Sequence, residues 1–160
     1  IWFSDIWELN GTMQRLKKGA SRARSAAFPF ELAYRLINMY SMKYDLVYDP
    51  FSGTGTVARA AMASERNSIS IDIDTNLCEQ ATFESVQSIT ELNLYTMDRI
   101  SRHKEFINNL PLEKKEKLYD NVNHSFKVKT RQETEILITS LSSIRFADNE
   151  IVCAYEKADA

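Results

Sequence analysis

Proline, glycine, cysteine and histidine are all scarce in this 160-residue chain, at three, four, two and two residues. Two cysteines, Cys78 and Cys153, are too few for a disulfide framework and lack metal-ligand spacing, which points to a reducing cytoplasm. His103 and His124 are isolated among polar residues, read as surface side chains, and form no Cys/His cluster for zinc. Pro29, Pro50 and Pro111 each stand alone, so the chain contains no Pro-Pro pair. No apolar run approaches the ~20 residues that span a bilayer. No basic-then-apolar leader opens the chain. What remains is ordinary globular composition, 44% hydrophobic and 26% charged, which excludes a collagen-like or disordered chain. The opening Ile1-Trp2-Phe3 lacks a methionine and reads as the middle of a fold, so a fragment, a split subunit or a trimmed chain is expected.

The net charge of −2 hides an uneven distribution. Residues 1–48 carry a net +3, residues 49–98 a net −6, and residues 99–160 a net +1. The densest basic stretch holds Arg15, Lys17, Lys18, Arg22 and Arg24 with no acid among them. Gly19, Ser21 and Ser25 mark it as a loop. Such a loop suits a phosphate backbone, since each neutralised phosphate releases counterions; the alternative is a solvated polar loop.

Alternation over residues 1–8 suggests a short strand. Ala33, Leu36, Ile37 and Tyr40 recur at helical spacing and predict a helix over 29–43, with Pro29 at its first position. Leu46-Val47-Tyr48 reads as a buried strand, residues 56–65 as an alanine-rich helix, and Ser68 to Asp72 as a second strand. Thr75 is placed to cap a following helix, broken or continuous, to about residue 108. Phe126 and Val128 alternate with lysines as a half-exposed strand. Thr130 with Glu133 forms a capping box ahead of an apolar helical stripe, Ile136, Leu137 and Leu141. Ile144–Phe146 and Ile151–Tyr155 flank Asp148-Asn149 as a hairpin. The division expected is residues 1–110, with a ligand site, and residues 111–160, a C-terminal helix-and-hairpin extension.

Leu46 to Thr56 is a strand, a tight turn and a helix start. Gly53 and Gly55 remove side chains that would hold a ligand off the backbone, and the amides of the next helix favour an anionic or strongly polar group. Asp72, 19 residues after Gly53, stands where a carboxylate accepts hydrogen bonds from a ribose. Gly53 to Ala58 also satisfies the loose G-x-G-x-x-A pattern of dinucleotide sites, so a nicotinamide or flavin enzyme is formally allowed. Asp49 and Phe51 argue against it. A carboxylate at the turn repels a pyrophosphate and attracts an ammonium or sulfonium, which suits an amino-acid-bearing nucleoside.

Asp49-Pro50-Phe51-Ser52-Gly53-Thr54-Gly55-Thr56 resembles the D-P-F-x-G-[ST]-G-T motif of S-adenosylmethionine-dependent DNA amino-methyltransferases, which modify N6 of adenine or N4 of cytosine. Arg24 to Pro29, with Glu31-Leu32 and Arg35-Leu36-Ile37, resembles their H-P-[AT]-x-[FK]-P…LI segment, although Ser25 and Ala26 replace His-Pro. Ser70-Ile71-Asp72-Ile73-Asp74 resembles their G-x-E-x-[DN] strand end, with Asp72 for the more frequent Glu. Asp5-Ile6-Trp7-Glu8 resembles their D-x-W-E stretch. The resemblance covers residues 5–82. It implies an α/β, Rossmann-like class I methyltransferase sheet with flanking helices, incomplete in this chain, and S-adenosylmethionine as cofactor. By the same resemblance Asp49 and Phe51 meet the methionine end of the cofactor. Gly53 and Gly55, with the amides around Ser52 and Thr54, hold its carboxylate end. Asp72 binds the ribose hydroxyls, and Phe28 and Pro29 close over the cofactor, although Phe28 reads equally as a core aromatic.

The family also needs a [DNS]-P-P-[YFW] motif, whose polar group and carbonyl take hydrogen bonds from the target amino group while its aromatic stacks on a flipped base. This chain has none. In the permuted order of the family the catalytic half precedes the F-P segment, so that motif is expected upstream or on a partner chain, with DNA as substrate in restriction–modification. Arg15, Lys17, Lys18, Arg22 and Arg24 are then candidates for the DNA backbone. The alternatives are a tRNA guanine-amino methyltransferase relative and a non-catalytic S-adenosylmethionine-binding subunit.

Overall fold

The computed structural model describes residues 6–9 and 28–158, and residues 6–9 carry no regular element. The chain divides into two units, Ile1–Ser85 and Val86–Ala160.

The first unit contains α1 (Phe30–Tyr40), β1 (Leu46–Asp49), α2 (Thr56–Met62), β2 (Asn67–Ser70) and most of α3 (Thr75–Gln87). β1 and β2 pair in parallel, from Leu46 opposite Asn67 to Asp49 opposite Ser70. Parallel neighbours need a crossover, which α2 supplies. Its Ala60 and Ala61 are fully buried, and such small side chains let a helix approach a sheet closely. Leu46, Tyr48, Ile69 and Ile71 are all exposed, leaving apolar sheet surface uncovered.

Helix α1 is shorter than the periodicity predicts. Pro29 is its N-cap, in an extended conformation, rather than its first helical residue. Ser41 ends it, with both its N–H and its hydroxyl donating to the Ile37 carbonyl. The buried face is Ala33, Tyr34 and Ile37, whereas Leu36 and Tyr40 of the predicted stripe are exposed. Asn38 Nδ2 donates to Ser64 Oγ at 2.9 Å, and Arg66 donates to the Ser41 carbonyl at 2.6 Å, so the C-terminal ends of α1 and α2 are tied. The cap of α3 is Asp74 rather than Thr75, because its Oδ1 accepts the Asn76 N–H at 3.0 Å.

The second unit contains α4 (Ile89–Asn108), the short α5 (Leu112–Lys115), β3 (Tyr119–Asp120), β4 (Lys127–Val128), a 3₁₀ turn (Arg131–Glu133), β5 (Thr139–Ala147) and β6 (Glu150–Lys157). Its core gathers Ile100, Phe126, Val128 and Ala158, with Ile138 packed on them. β5 and β6 form the expected hairpin. Asp148 and Asn149 hold φ of 53° and 62°, the pair of left-handed residues that a type I′ turn requires. The side-chain amide of Asn93 donates to the Leu141 carbonyl and accepts the Leu141 N–H, at 2.9 and 2.8 Å, beside the bulge between Leu141 and Ser143.

The helical stripe expected at Ile136, Leu137 and Leu141 is not formed. The capping box of Thr130 and Glu133 is present but starts a single 3₁₀ turn, and the chain then extends into β5. The carbonyls that would carry a helix forward are taken elsewhere. Asn121 Nδ2 donates to those of Glu133 and Ile136, the Val122 N–H to that of Thr134, and Asn123 Nδ2 to that of Glu135.

The histidines also differ from expectation. His103 is half-buried, hydrogen-bonded to the Lys127 carbonyl at 2.8 Å and set edge-on to Phe126. His124 is buried and stacked on Phe126, with its Nε2 accepting the Ile138 N–H at 2.9 Å. That bond places the proton on Nδ1, which is buried without a hydrogen-bond partner among the described residues. Burial, then the charges of Lys157 and Lys104, hold its pKa below the ordinary 6.5. Unfolded His124 therefore takes up a proton at a higher pH than folded His124. Its contribution is complete above about pH 6.5 and is lost as the pH falls toward the folded value. Urea unfolding of the C-terminal unit is accordingly expected at a lower midpoint at pH 5 than at pH 7, with His124→Gln flattening that difference. A His124→Gln protein with the wild-type slope would refute this assignment.

Candidate functional site

The site is built where β1 ends. Asp49 closes the strand, and its carboxylate accepts the Phe51 N–H at 3.2 Å. The parallel pairing continues past the strand. The Ile71 N–H donates to the Asp49 carbonyl and the Ser52 N–H to the Ile71 carbonyl, both at 2.9 Å. This ladder brings the turn beside Asp72, the first acid after β2.

From Ser52 to Gly55 the chain makes a β-turn closed by the Gly55 N–H on the Ser52 carbonyl at 2.8 Å. Gly53 has φ +51° and Gly55 φ +77°, both in the left-handed region. Glycine serves a different purpose at each position. A Cβ on Gly55 would stand 3.0 Å from the Ala81 Cβ of α3, so its absence lets α3 close on the turn. A Cβ on Gly53 would meet nothing within 4 Å, so the space before it is open.

Asp72 joins the turn directly. Its Oδ2 accepts the Gly53 N–H at 2.9 Å, and its Oδ1 accepts the Asp74 N–H at 3.0 Å. The N–H groups of Gly53 and Gly55 thus both have acceptors within the protein, Asp72 Oδ2 and the Ser52 carbonyl. Amides of the first turn of α2 have no acceptor inside that helix. The half-buried Asp72 carboxylate is thus engaged at the turn through both of its oxygens.

Of the other expected residues, Ser52 and Thr54 are buried within the turn and Phe51 is 87% exposed. Phe28, exposed, and Pro29, half-buried, lie at the end of α1 opposite its tie to α2. Arg15, Lys17, Lys18, Arg22 and Arg24 lie outside the described residues. The structure adds two residues that sequence reasoning missed. Ile73, between two acids, is 95% exposed beside the site. Arg59 of α2 donates to the Thr54 carbonyl at 3.1 Å. For Ile73 the signal was an apolar residue interrupting an acidic strand end; for Arg59 it was a lone cation in an alanine-rich helix. Among the described residues no group of three or more His, Cys, Asp or Glu side chains is placed to hold a metal ion, and no helix is long and apolar enough to cross a membrane.

Comparison with known proteins bears on the same segment. The type II methyltransferase M.MthZI of Methanothermobacter thermautotrophicus is 48% identical over 136 residues, 84% of this chain and 37% of that protein. The type II methyltransferase M.MjaI of Methanocaldococcus jannaschii is 49% identical over 76 residues, 48% of this chain and 24% of that protein. The chain thus spans well under half the length of these relatives. Crystal structures of TTHA0409 of Thermus thermophilus, described as a DNA modification methylase and in one case complexed with S-adenosyl-L-methionine, share 37% identity over 38% of this chain, with a TM-score of 0.37. A DNA methylase family, N6_N4_Mtase, matches residues 1–83, just over half of the chain and all of the turn-bearing segment, and the chain belongs to that family.

Proposed function

We propose that this chain supplies the S-adenosylmethionine-binding part of a DNA methyltransferase that transfers a methyl group to an exocyclic amino nitrogen of adenine or cytosine, in restriction–modification and in the cytoplasm. The observation that carries this reading is the pairing of Asp72 with the glycine turn in front of open space. The carboxylate holds the Gly53 N–H and stands 19 residues after that glycine, where an acid meets a ribose diol. Ile73 offers exposed apolar surface next to that carboxylate, suited to the face of a purine. Asp49 supplies the negative charge that favours a sulfonium or ammonium over a pyrophosphate. When bound, the cofactor supplies the electrophilic methyl. This chain's residues bind and orient it, and the target amino group must be held by groups that this chain does not contain.

Two observations support a catalytic half upstream or on a partner chain. The three prolines stand apart, so no Pro-Pro motif is present. The exposed Leu46, Tyr48, Ile69 and Ile71 leave a parallel pair uncovered, and parallel sheets are stable when both faces are packed. The basic run from Arg15 to Arg24 is assigned to the DNA backbone on charge. Titration calorimetry of the intact protein, this chain together with its catalytic half, with S-adenosylhomocysteine and with NAD tests the reading. Binding of the first and not the second is expected, together with methyl transfer to duplex DNA. NAD binding, or indifference to both, would overturn it.

A further inference from the structure

Arg59 has no part in the motif that marks the site, yet it touches the turn. Its Nη1 donates to the Thr54 carbonyl at 3.1 Å and to Glu84 Oε2 of α3 at 2.9 Å. Glu84 is itself held, since its Oε1 accepts Gln80 Nε2 at 2.7 Å. The Arg59 side chain is 17% exposed and that of Glu84 39%, so the pair is shielded on the arginine side and open to solvent on the other. The peptide joining Thr54 to Gly55 is therefore gripped at both ends. Its carbonyl points to a guanidinium anchored on α3, and its N–H points to the Ser52 carbonyl.

That grip matters because Gly55 tolerates either sign of φ, so backbone sterics alone leave this peptide free to rotate. Rotation would break both bonds and swing a carbonyl dipole away from α3. A carbonyl oxygen turned toward the ligand side repels an anionic carboxylate, whereas one held by a cation cannot. We propose that Arg59, anchored by Glu84, is a positioning residue. It fixes the Thr54–Gly55 peptide in the orientation needed to bind the amino-acid end of the methyl donor, without touching the donor. Asp72 fixes the Gly53 N–H from the strand side, and Arg59 fixes the Thr54 carbonyl from the helix side. This inference rests on the function proposed above.

The test uses the intact protein with Arg59→Met, which keeps the apolar stem, Arg59→Lys, which keeps the charge, and Glu84→Gln, which weakens the anchor. Four quantities are read: affinity for S-adenosylhomocysteine, the KM and kcat for methyl transfer, and Tm. Arg59→Met is expected to weaken binding by about 10- to 150-fold, the range of one lost charge-assisted hydrogen bond. The KM for the donor should rise in step, with kcat within about twofold and partial recovery in Arg59→Lys, as expected for lost uniform binding. Should Arg59→Met fail to fold, Glu84→Gln carries the test, with an expected loss of about threefold. Wild-type protein that binds S-adenosylhomocysteine beside an Arg59→Met protein, or failing that a Glu84→Gln protein, of equal affinity would overturn this inference alone. So would a loss of affinity that follows Tm and is not recovered by lysine. Wild-type protein with no affinity would overturn the functional reading and this inference together.

Discussion

Asp72→Ala is expected to lower affinity for S-adenosylhomocysteine by at least about 100-fold and to lower the Tm of the first unit by several degrees. Both effects come from one carboxylate with two tasks. In the structure Oδ2 accepts the Gly53 N–H and Oδ1 accepts the Asp74 N–H. Charge-assisted bonds of this kind contribute about 1.5–3 kcal/mol each, and losing them leaves the donors seeking water. Alanine removes the latch on the turn and, on the function proposed above, the ribose acceptor with it. The Asp72→Asn substitution keeps one carbonyl oxygen for the Gly53 N–H but loses the charge, so a milder loss of about tenfold is expected with most of the Tm retained. Calorimetry and thermal unfolding on the same samples separate the two tasks. An Asp72→Ala protein with wild-type affinity would exclude Asp72 from the site.

The parts of the fold legible in the sequence are those set by local chemistry. The glycine turn between two strands, the Asp148-Asn149 hairpin and the Thr130–Glu133 capping box each depend on residues within a few positions of one another, and each is present. The misreadings arise where distant groups intervene. Ile136 to Leu141 has helical spacing, but Asn121, Val122 and Asn123, lying 12 to 15 residues earlier, take the carbonyls a helix needs. Nothing in the local sequence signals that competition. His124 reads as polar surface because its neighbours are polar, yet the ring is covered by Phe126 and the Ile138 backbone. The site divides in the same way. Asp72 and the glycines were legible from spacing, whereas the grip of Asp72 on Gly53 and of Arg59 on Thr54 arises only when β2 and α2 are placed beside the turn.

The two glycines of the turn are expected to fail in opposite ways when each is replaced by alanine. Gly53→Ala meets no atom within 4 Å, so its cost to stability is the left-handed φ of +51°, about 1–2 kcal/mol. Its new methyl, however, stands in the open space before the turn, and loss of cofactor binding should exceed loss of stability. Gly55→Ala carries the same backbone cost at φ +77° and in addition drives its methyl to 3.0 Å from the Ala81 Cβ. A backbone-borne Cβ has no flexible end to move aside, so overpacking adds about 1–3 kcal/mol and pushes α3 off the turn. Gly55→Ala should therefore lower Tm more than Gly53→Ala does. Ala81→Gly, which removes the opposing methyl, should return part of that loss to Gly55→Ala and nothing to Gly53→Ala. The Tm values of the three single and two double variants, with affinity for S-adenosylhomocysteine measured on each, decide the matter. Equal Tm losses at the two glycines, or rescue of Gly53→Ala by Ala81→Gly, would mean that the turn does not sit against α3 as the structure places it.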